Sequence, residues 1–234
     1  MSTIVLHTTY FRNSTEYRNN EILKSFSINL KLKIVSYIFV YTECDLPIHH
    51  PKLIPIQIHG RPDFRMLSSH FDSNAVNIIC NSDISFVTNL KKLIQILDNP
   101  QKAFFISRRI GLGIVSKYII FKHNVGNSQD AWAFLGKIKD EDALLKSMEK
   151  IELGLPGNDN ALVHLFRKFN YEVLNPSYAI TLLHHHKSDN RNYTESDRLK
   201  LEYDFVKSSL VFNCNLLEYF VKTLNRIYYH KWSH

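Results

Sequence analysis

The sequence predicts an α/β fold built on a mostly parallel sheet, and three observations carry that prediction. Short apolar, β-branched runs alternate along the chain with stretches of helical spacing. The chain opens with an apolar run, a helical stretch and another apolar run, an order that implies a parallel pair joined by a right-handed crossover. Several of the apolar runs also end abruptly in polar or charged residues, as at His7-Thr8-Thr9-Tyr10 and Asn81-Ser82-Asp83. In open α/β sheets that is where ligands bind.

Taken in order, Ile4-Val5-Leu6 is a buried-strand run, and Ile22, Leu23, Phe26 and Leu30 share one stripe of a helix over 18–30. Ile34 to Tyr41 is rich in β-branched and aromatic residues and reads as the second strand. Residues 42–63 carry Pro47, Pro51, Pro55 and Pro62 and form an irregular connection, with a short strand at Ile54 to Ile58. Arg61 to His70 opens a helix. Asn77 to Cys80 is a strand, Leu90 to Leu97 a helix closed by Asp98-Asn99-Pro100, and Ala103 to Ser107 a strand. From about Gly111 to Asp130 the pattern is that of a mixed loop with an edge strand at 117–121. Ala131 to Leu135 is strand-like, and 140–151 has helical spacing. Turn chemistry at Gly154 to Asn160 leads into a helix over Ala161 to Phe169, capped by Asn158 or Asp159. Tyr171 to Leu174 is a short strand before Asn175-Pro176-Ser177, and Ala179 to Leu183 leads into His184-His185-His186. From Ser196 to Tyr229, apolar residues at three- and four-residue steps (Leu199, Tyr203, Val206, Leu210, Leu217, Phe220, Leu224, Ile227) predict one long helix or two joined ones.

The chain therefore divides into a main domain over 1–195 and a helical extension over 196–234, which packs on that domain or mediates an oligomer. The 234 residues suffice for one sizeable core, and 44% apolar with 22% charged residues is an ordinary globular balance. Only 7 glycines argue against Gly-rich repeats. The net charge of +7 suits an anionic partner. It is spread along the chain without a basic block, so nucleic acid is not the expected partner. Cys44, Cys80 and Cys214 lie far apart, without metal or disulfide spacing, and a reducing compartment is expected. No apolar run reaches membrane-spanning length, and the first residues lack the pattern of a signal peptide. The expected location is cytoplasmic, with the basic-aromatic Tyr228-Tyr229-His230-Lys231-Trp232 as a candidate peripheral membrane contact.

Three clusters carry candidate chemistry. Asp83, with Asn81 and Ser82, offers hard oxygen ligands for a magnesium or manganese ion that carries a phosphorylated ligand; the competing reading is an Asn-Ser-Asp turn. In an extended segment His184 and His186 share a face while His185 points opposite, and a His ligand favours manganese or zinc over magnesium. The bland alternative is ordinary surface or core histidines. Asp159, at a Gly-rich turn opening a helix, suits a general base acting on a hydroxyl, or simply a helix cap. Trp132 provides a flat face for a sugar ring, unless it is a core residue. Arg61, Arg108 and Arg109 suit a diphosphate, or a solvated basic face.

The order of these pieces resembles a GT-A-type glycosyltransferase, and within that class the small glycosyltransferases of microbial polysaccharide gene clusters and large DNA viruses. The resembling blocks are Gly60-Arg61-Pro62-Asp63-Phe64, Asn81-Ser82-Asp83-Ile84, Ser128-Gln129-Asp130-Ala131-Trp132, Pro156-Gly157-Asn158-Asp159-Asn160, and Asn175-Pro176-Ser177 followed by His184, His186 and Arg191-Asn192-Tyr193. The resemblance implies a GT-A-like (Rossmann-like) mixed, mostly parallel central sheet flanked by helices. It implies transfer of a sugar from a nucleoside diphosphate (UDP-, GDP- or dTDP-linked) to a glycan or glycolipid hydroxyl, assisted by Mn2+ or Mg2+, with inversion. On it, Thr8, Thr9, Tyr10, Arg12, Arg61, Phe64, Asn81, Ser82 and Asp83 would hold the nucleotide sugar, and Asp83, His184 and His186 the metal. Asp159 would be the base, Asp130 its reserve, and Trp132 and Asn158 would face the acceptor. Two departures from the family pattern stand out. Asn81 occupies the place of the first Asp of the metal motif, and Asn158 stands where Glu is frequent. Both leave room for a weaker metal requirement or a retaining mechanism.

Two other classes stay open on the sequence. A nucleotidyltransferase would carry a Gly-rich phosphate loop near the N-terminus, where this chain has His7-Thr8-Thr9-Tyr10. A non-catalytic binder of nucleic acid or membrane surfaces would rest on the charge and the basic-aromatic end.

Overall fold

The computed structural model describes residues 3–87, 90–107, 109–115, 118–123, 128–177, 179–185 and 193–208. The strands are β1 (Ile4–Tyr10), β2 (Val35–Thr42), β3 (Leu53–Gln57), β4 (Val76–Cys80), β5 (Ile84–Phe86), β6 (Lys102–Ile106), β7 (Arg109–Val115), β8 (Tyr118–His123), β9 (Ala131–Leu135), β10 (Glu172–Leu174) and β11 (Leu182–His184). The helices are α1 (Glu16–Leu30), α2 (Phe64–Ser68), α3 (Lys91–Ile96), α4 (Asp142–Met148) and α5 (Asn158–Lys168).

Seven strands form the main sheet, in the order β10-β6-β9-β4-β1-β2-β3. Every neighbouring pair is parallel except those made by β9, which runs antiparallel to both β4 and β6. This is the mixed, mostly parallel central sheet expected from the sequence. A smaller sheet, β5-β11-β7-β8, stands beside it. Pro55 sits in β3, an edge strand, where the missing N–H costs no ladder bond on the outer side.

Side chains alternate across the main sheet and feed a core on each face. Ile4, Leu6, Val40, Ile78, Phe104 and Ala133 face α1 and α3, packing with Ile22 and Phe26 of α1 and Leu93 of α3. Ile79, Phe105, Trp132 and Phe134 face the other way, against Phe64 and Leu67 of α2, Leu144 and Met148 of α4, and Leu162 and Phe166 of α5. Strands buried on both faces read as apolar runs rather than as alternating ones.

Three expectations are corrected. The mixed loop from Gly111 onward is in fact a hairpin, β7 paired antiparallel with β8. α5 starts at Asn158, so Asn158 and Asp159 lie in its first turn. Its N-cap is Gly157, left-handed at φ 86°. The helix expected from Ser196 is absent from 198–208: after a 3-10 turn at Glu195–Asp197, 198–207 are in no helix or strand and Ser208 makes a bridge to Asn175. The rest of that expected helix lies outside the described residues.

Candidate active site

The carboxyl ends of β1, β2 and β4 open onto a cleft of about 640 Å³. Its other walls are the turn before β9, the turn that starts α5, His184 of β11, and Tyr193 and Arg198 from the segment after it.

The floor is set by the Asn81-Ser82-Asp83 turn, which α1 grips from below. Arg18, Glu21, Ser25 and Asn29 recur at three- and four-residue steps, so they lie along one face of α1 with Ile22 and Phe26. The Ser25 hydroxyl donates to the Ser82 carbonyl. Asn29 donates from Nδ2 to the Ile84 carbonyl at 2.9 Å and accepts at Oδ1 from the Phe86 N–H at 3.1 Å. Arg18 donates from Nη2 to Asp83 Oδ2 at 2.6 Å and from Nη1 to Glu21 Oε2 at 2.9 Å. His184 Nε2 lies 3.0 Å from the same Asp83 oxygen. Burial works against the charge on Arg18, but the Asp83 and Glu21 carboxylates outweigh it and raise its pKa further. The next residue, His185, turns away from the cleft: its Nε2 meets the Ser85 hydroxyl at 2.8 Å and its N–H donates to the Asp83 carbonyl. Burial, and then Lys24, hold that imidazole below its ordinary pKa.

From this floor a chain of hydrogen bonds runs to the opposite wall. Asn81 donates from Nδ2 to Asp130 Oδ1 at 3.2 Å, and its backbone N–H donates to the Asp130 carbonyl. The neighbouring Gln129 N–H donates to Asp159 Oδ2 at 3.1 Å, while Asp159 Oδ1 accepts the Asn160 N–H at 2.9 Å. Asp159 is 9% exposed. Burial pushes its carboxyl above the ordinary aspartate value, and the neighbouring Asp130 adds to the rise; the two backbone N–H groups oppose it. This is the environment of a carboxylate whose proton affinity is raised toward the working range of a general base.

Thr9, Tyr10, Arg61, Asn81, Ser82, Asp83, Asp130, Asn158, Asp159 and His184 of the expected set all line the cleft. Four residues do not fit their expected roles. Thr8 is 3% exposed and lies on the α1 side of β1. Phe64 and Trp132 are fully buried and meet edge to face, 5.1 Å between ring centres. They are core partners between β9 and α2, so Trp132 offers no face to an acceptor sugar and Phe64 none to a nucleotide. Arg12 is exposed and is not among the lining residues. His186, Arg108 and the Arg109 side chain lie outside the described residues. The sequence reading missed Arg18 and Glu21. Their signal was a buried ion pair, i to i+3, on the face of α1 otherwise given to Ile22 and Phe26.

Of the three expected metal ligands, Asp83 and His184 are described and His186 is not. Asp83 Oδ2 is shared between a guanidinium and an imidazole, so a metal ion placed on it would sit against the charge of Arg18. Among the described residues no group of three or more His, Cys, Asp or Glu side chains is arranged to hold a metal. Nor is any helix among them long and apolar enough to cross a membrane.

The sequence matches no family model and no curated protein. Solved structures that resemble it include 4-diphosphocytidyl-2C-methyl-D-erythritol synthase from Anaerococcus prevotii, with a TM-score of 0.48 and 15% identity over 84% of this chain and 92% of that one. The glycosyltransferase GlyE of Streptococcus pneumoniae scores 0.48 at 10% identity over 95% of this chain and 60% of its own. Residues 1–349 of TarS from S. aureus score 0.47 at 14% identity over 75% and 58%. At these scores and identities the likeness assigns no activity.

Proposed function

We propose that the protein is a glycosyltransferase that moves a sugar from a nucleoside diphosphate to a hydroxyl of a glycan or glycolipid. The observation that carries this reading is convergence. The Asn81-Ser82-Asp83 turn, the Gln129-Asp130 turn, the start of α5 and His184 are far apart in sequence, yet they line one cleft at the carboxyl ends of parallel strands. A cleft of about 640 Å³ lies within the range typical of small-molecule sites, roughly 300–1,000 Å³.

In this reading Thr9, Tyr10 and Arg61 hold the nucleotide, and Asn81 to Asp83 lie under the diphosphate. Asp159 takes the proton of the acceptor hydroxyl. The acceptor oxygen forms its bond to the anomeric carbon as that carbon's bond to the diphosphate oxygen breaks, and the electron pair departs with the diphosphate. Attack from the side opposite the leaving group inverts the anomeric centre. Asn158, lining the cleft beside Asp159, orients the acceptor. Asp130 keeps Asn81 in place and raises the proton affinity of Asp159.

The test is turnover of UDP-, GDP- and dTDP-sugars with glycan acceptors, read as release of the nucleoside diphosphate. Asp159→Asn should lower kcat by a factor of about a hundred or more, as loss of a general base does, while leaving nucleotide binding intact. A folded Asp159→Asn protein with full turnover would show that another group takes the proton.

A further inference from the structure

The turn that would lie under the diphosphate is already faced by a fixed cation. Arg18 is carried into the cleft by α1, and its side chain is 8% exposed. Its position is set from both sides, by Asp83 at 2.6 Å and Glu21 at 2.9 Å. Ser25 and Asn29, further along the same helix face, lock α1 to the backbone of the Ser82–Phe86 segment. The guanidinium is therefore held by two ion pairs on a helix that is itself tied to the turn. A guanidinium has five N–H donors in a planar fork, and the two carboxylates account for two of the five. The remaining N–H groups suit phosphate oxygens. The same contacts that hold Arg18 occupy the carboxylate expected to bind a metal ion.

We propose that Arg18, braced by Asp83 and Glu21, is the cation that meets the diphosphate of the sugar nucleotide, so that departure of the nucleoside diphosphate needs no divalent metal ion. This rests on the glycosyltransferase reading above. Negative charge builds on the diphosphate oxygens as the bond to the anomeric carbon breaks. A positioned guanidinium stabilises that charge without reorganising at the moment of reaction. Asp83 then serves as a positioning residue: it fixes Arg18 rather than ligating an ion. His184 braces Asp83 from the other side.

The test is calorimetric binding of UDP, GDP and dTDP to the full chain, once in EDTA and once in manganese. The wild type should bind one of these in EDTA with a Kd within about twofold of its value in manganese. Arg18→Gln should weaken that binding tenfold or more in EDTA, and Arg18→Lys should recover part of the loss. Because Arg18→Gln leaves two buried carboxylates without their cation, the paired variant Arg18→Gln/Asp83→Asn carries the same comparison if the single variant fails to fold. Wild-type binding that requires manganese overturns this proposal and leaves the glycosyltransferase reading standing. So does a folded Arg18→Gln protein that binds as tightly as the wild type. Absence of binding by any of the three nucleotides, with or without metal, overturns both.

Discussion

At the scale of single residues, two buried titrating groups have opposite meanings. Asp159 is at the cleft, and burial raises its carboxyl above the ordinary value of 3.8. A base works only when deprotonated, so the acid limb of the pH–rate profile should lie above the ordinary carboxylate range, and the residual turnover of Asp159→Asn should lack that limb. A profile whose acid limb falls at ordinary carboxylate pH would remove Asp159 from the role. His7 is a core residue. Its ring stacks on Phe39 at 5.2 Å, and its nitrogens meet Tyr41 and Asn77 at 3.3 Å each. Burial lowers its pKa from 6.5 to about 3, with the Asn77 bond opposing and His70 reinforcing the shift. The sign follows from linkage. Between those two values the unfolded chain binds a proton that the folded chain refuses, so the stability due to neutral His7 is complete above pH 6.5 and is lost as pH falls toward 3. The slope is up to about 1.4 kcal/mol per pH unit. Denaturant melts of the wild type should show this slope, and His7→Gln should flatten it. Equal slopes in both proteins would show that His7 is not the source.

At the scale of elements, the start of α5 decides where Asp159 points. Gly157 precedes the helix at φ 86°, ψ −3°, a conformation in which a side chain is strained. A Cβ there would also lie 2.7 Å from the Tyr203 hydroxyl. Gly157→Ala should cost roughly 1–2 kcal/mol from the left-handed backbone alone. It should also depress turnover out of proportion to that loss, because the helix turn carrying Asn158 and Asp159 must move. Paired denaturant melts and rate measurements check this; an unchanged rate in a destabilised protein would separate the turn from the chemistry. Elements also explain what the sequence hid. The strands were legible because a strand buried on both faces is a mostly apolar run, as in Ala131 to Leu135 and, with Asn77 its one polar member, Val76 to Cys80. The segment 198–208 misled because Leu199, Tyr203 and Val206 fall at helical spacing while serving a different purpose. They pack a segment without helix or strand onto the core that α5 also covers. Its backbone donors are spent outside the segment: Leu199 N–H donates to the Pro156 carbonyl and Asp204 N–H to that of Asn160, both at 3.1 Å. Periodicity reports which side chains are buried but not where the backbone bonds go. Trp132 fails for a related reason: Asp130 lines the cleft from the turn before β9, whereas Trp132 lies inside β9 on the face packed against Phe64 of α2.

At the scale of the whole molecule, the cleft exists because residues from distant parts of the chain meet at one end of a sheet. No local pattern encodes that meeting, nor the insertion of β9 between β4 and β6 that brings Asp130 beside Asn81. The consequence is thermodynamic. A ligand that binds only the assembled cleft stabilises the entire fold by mass action, by about 2.7 kcal/mol at a hundred times its Kd. For a chain of this length each kcal/mol moves the melting temperature by roughly 2–4 °C. A sugar nucleotide of the right base should therefore raise Tm by roughly 5–10 °C, whereas the wrong base should give a small fraction of that. The shift should survive in Asp159→Asn, since the base acts on the acceptor, and should change little between low and moderate salt, since buried contacts are weakly screened. The basic surface behaves differently. With a net charge of +7, duplex DNA or anionic vesicles would give a shift that collapses as salt rises. A nucleotide panel without effect, together with a salt-sensitive shift from DNA or vesicles, would mean that the charge and not the cleft is what the molecule uses.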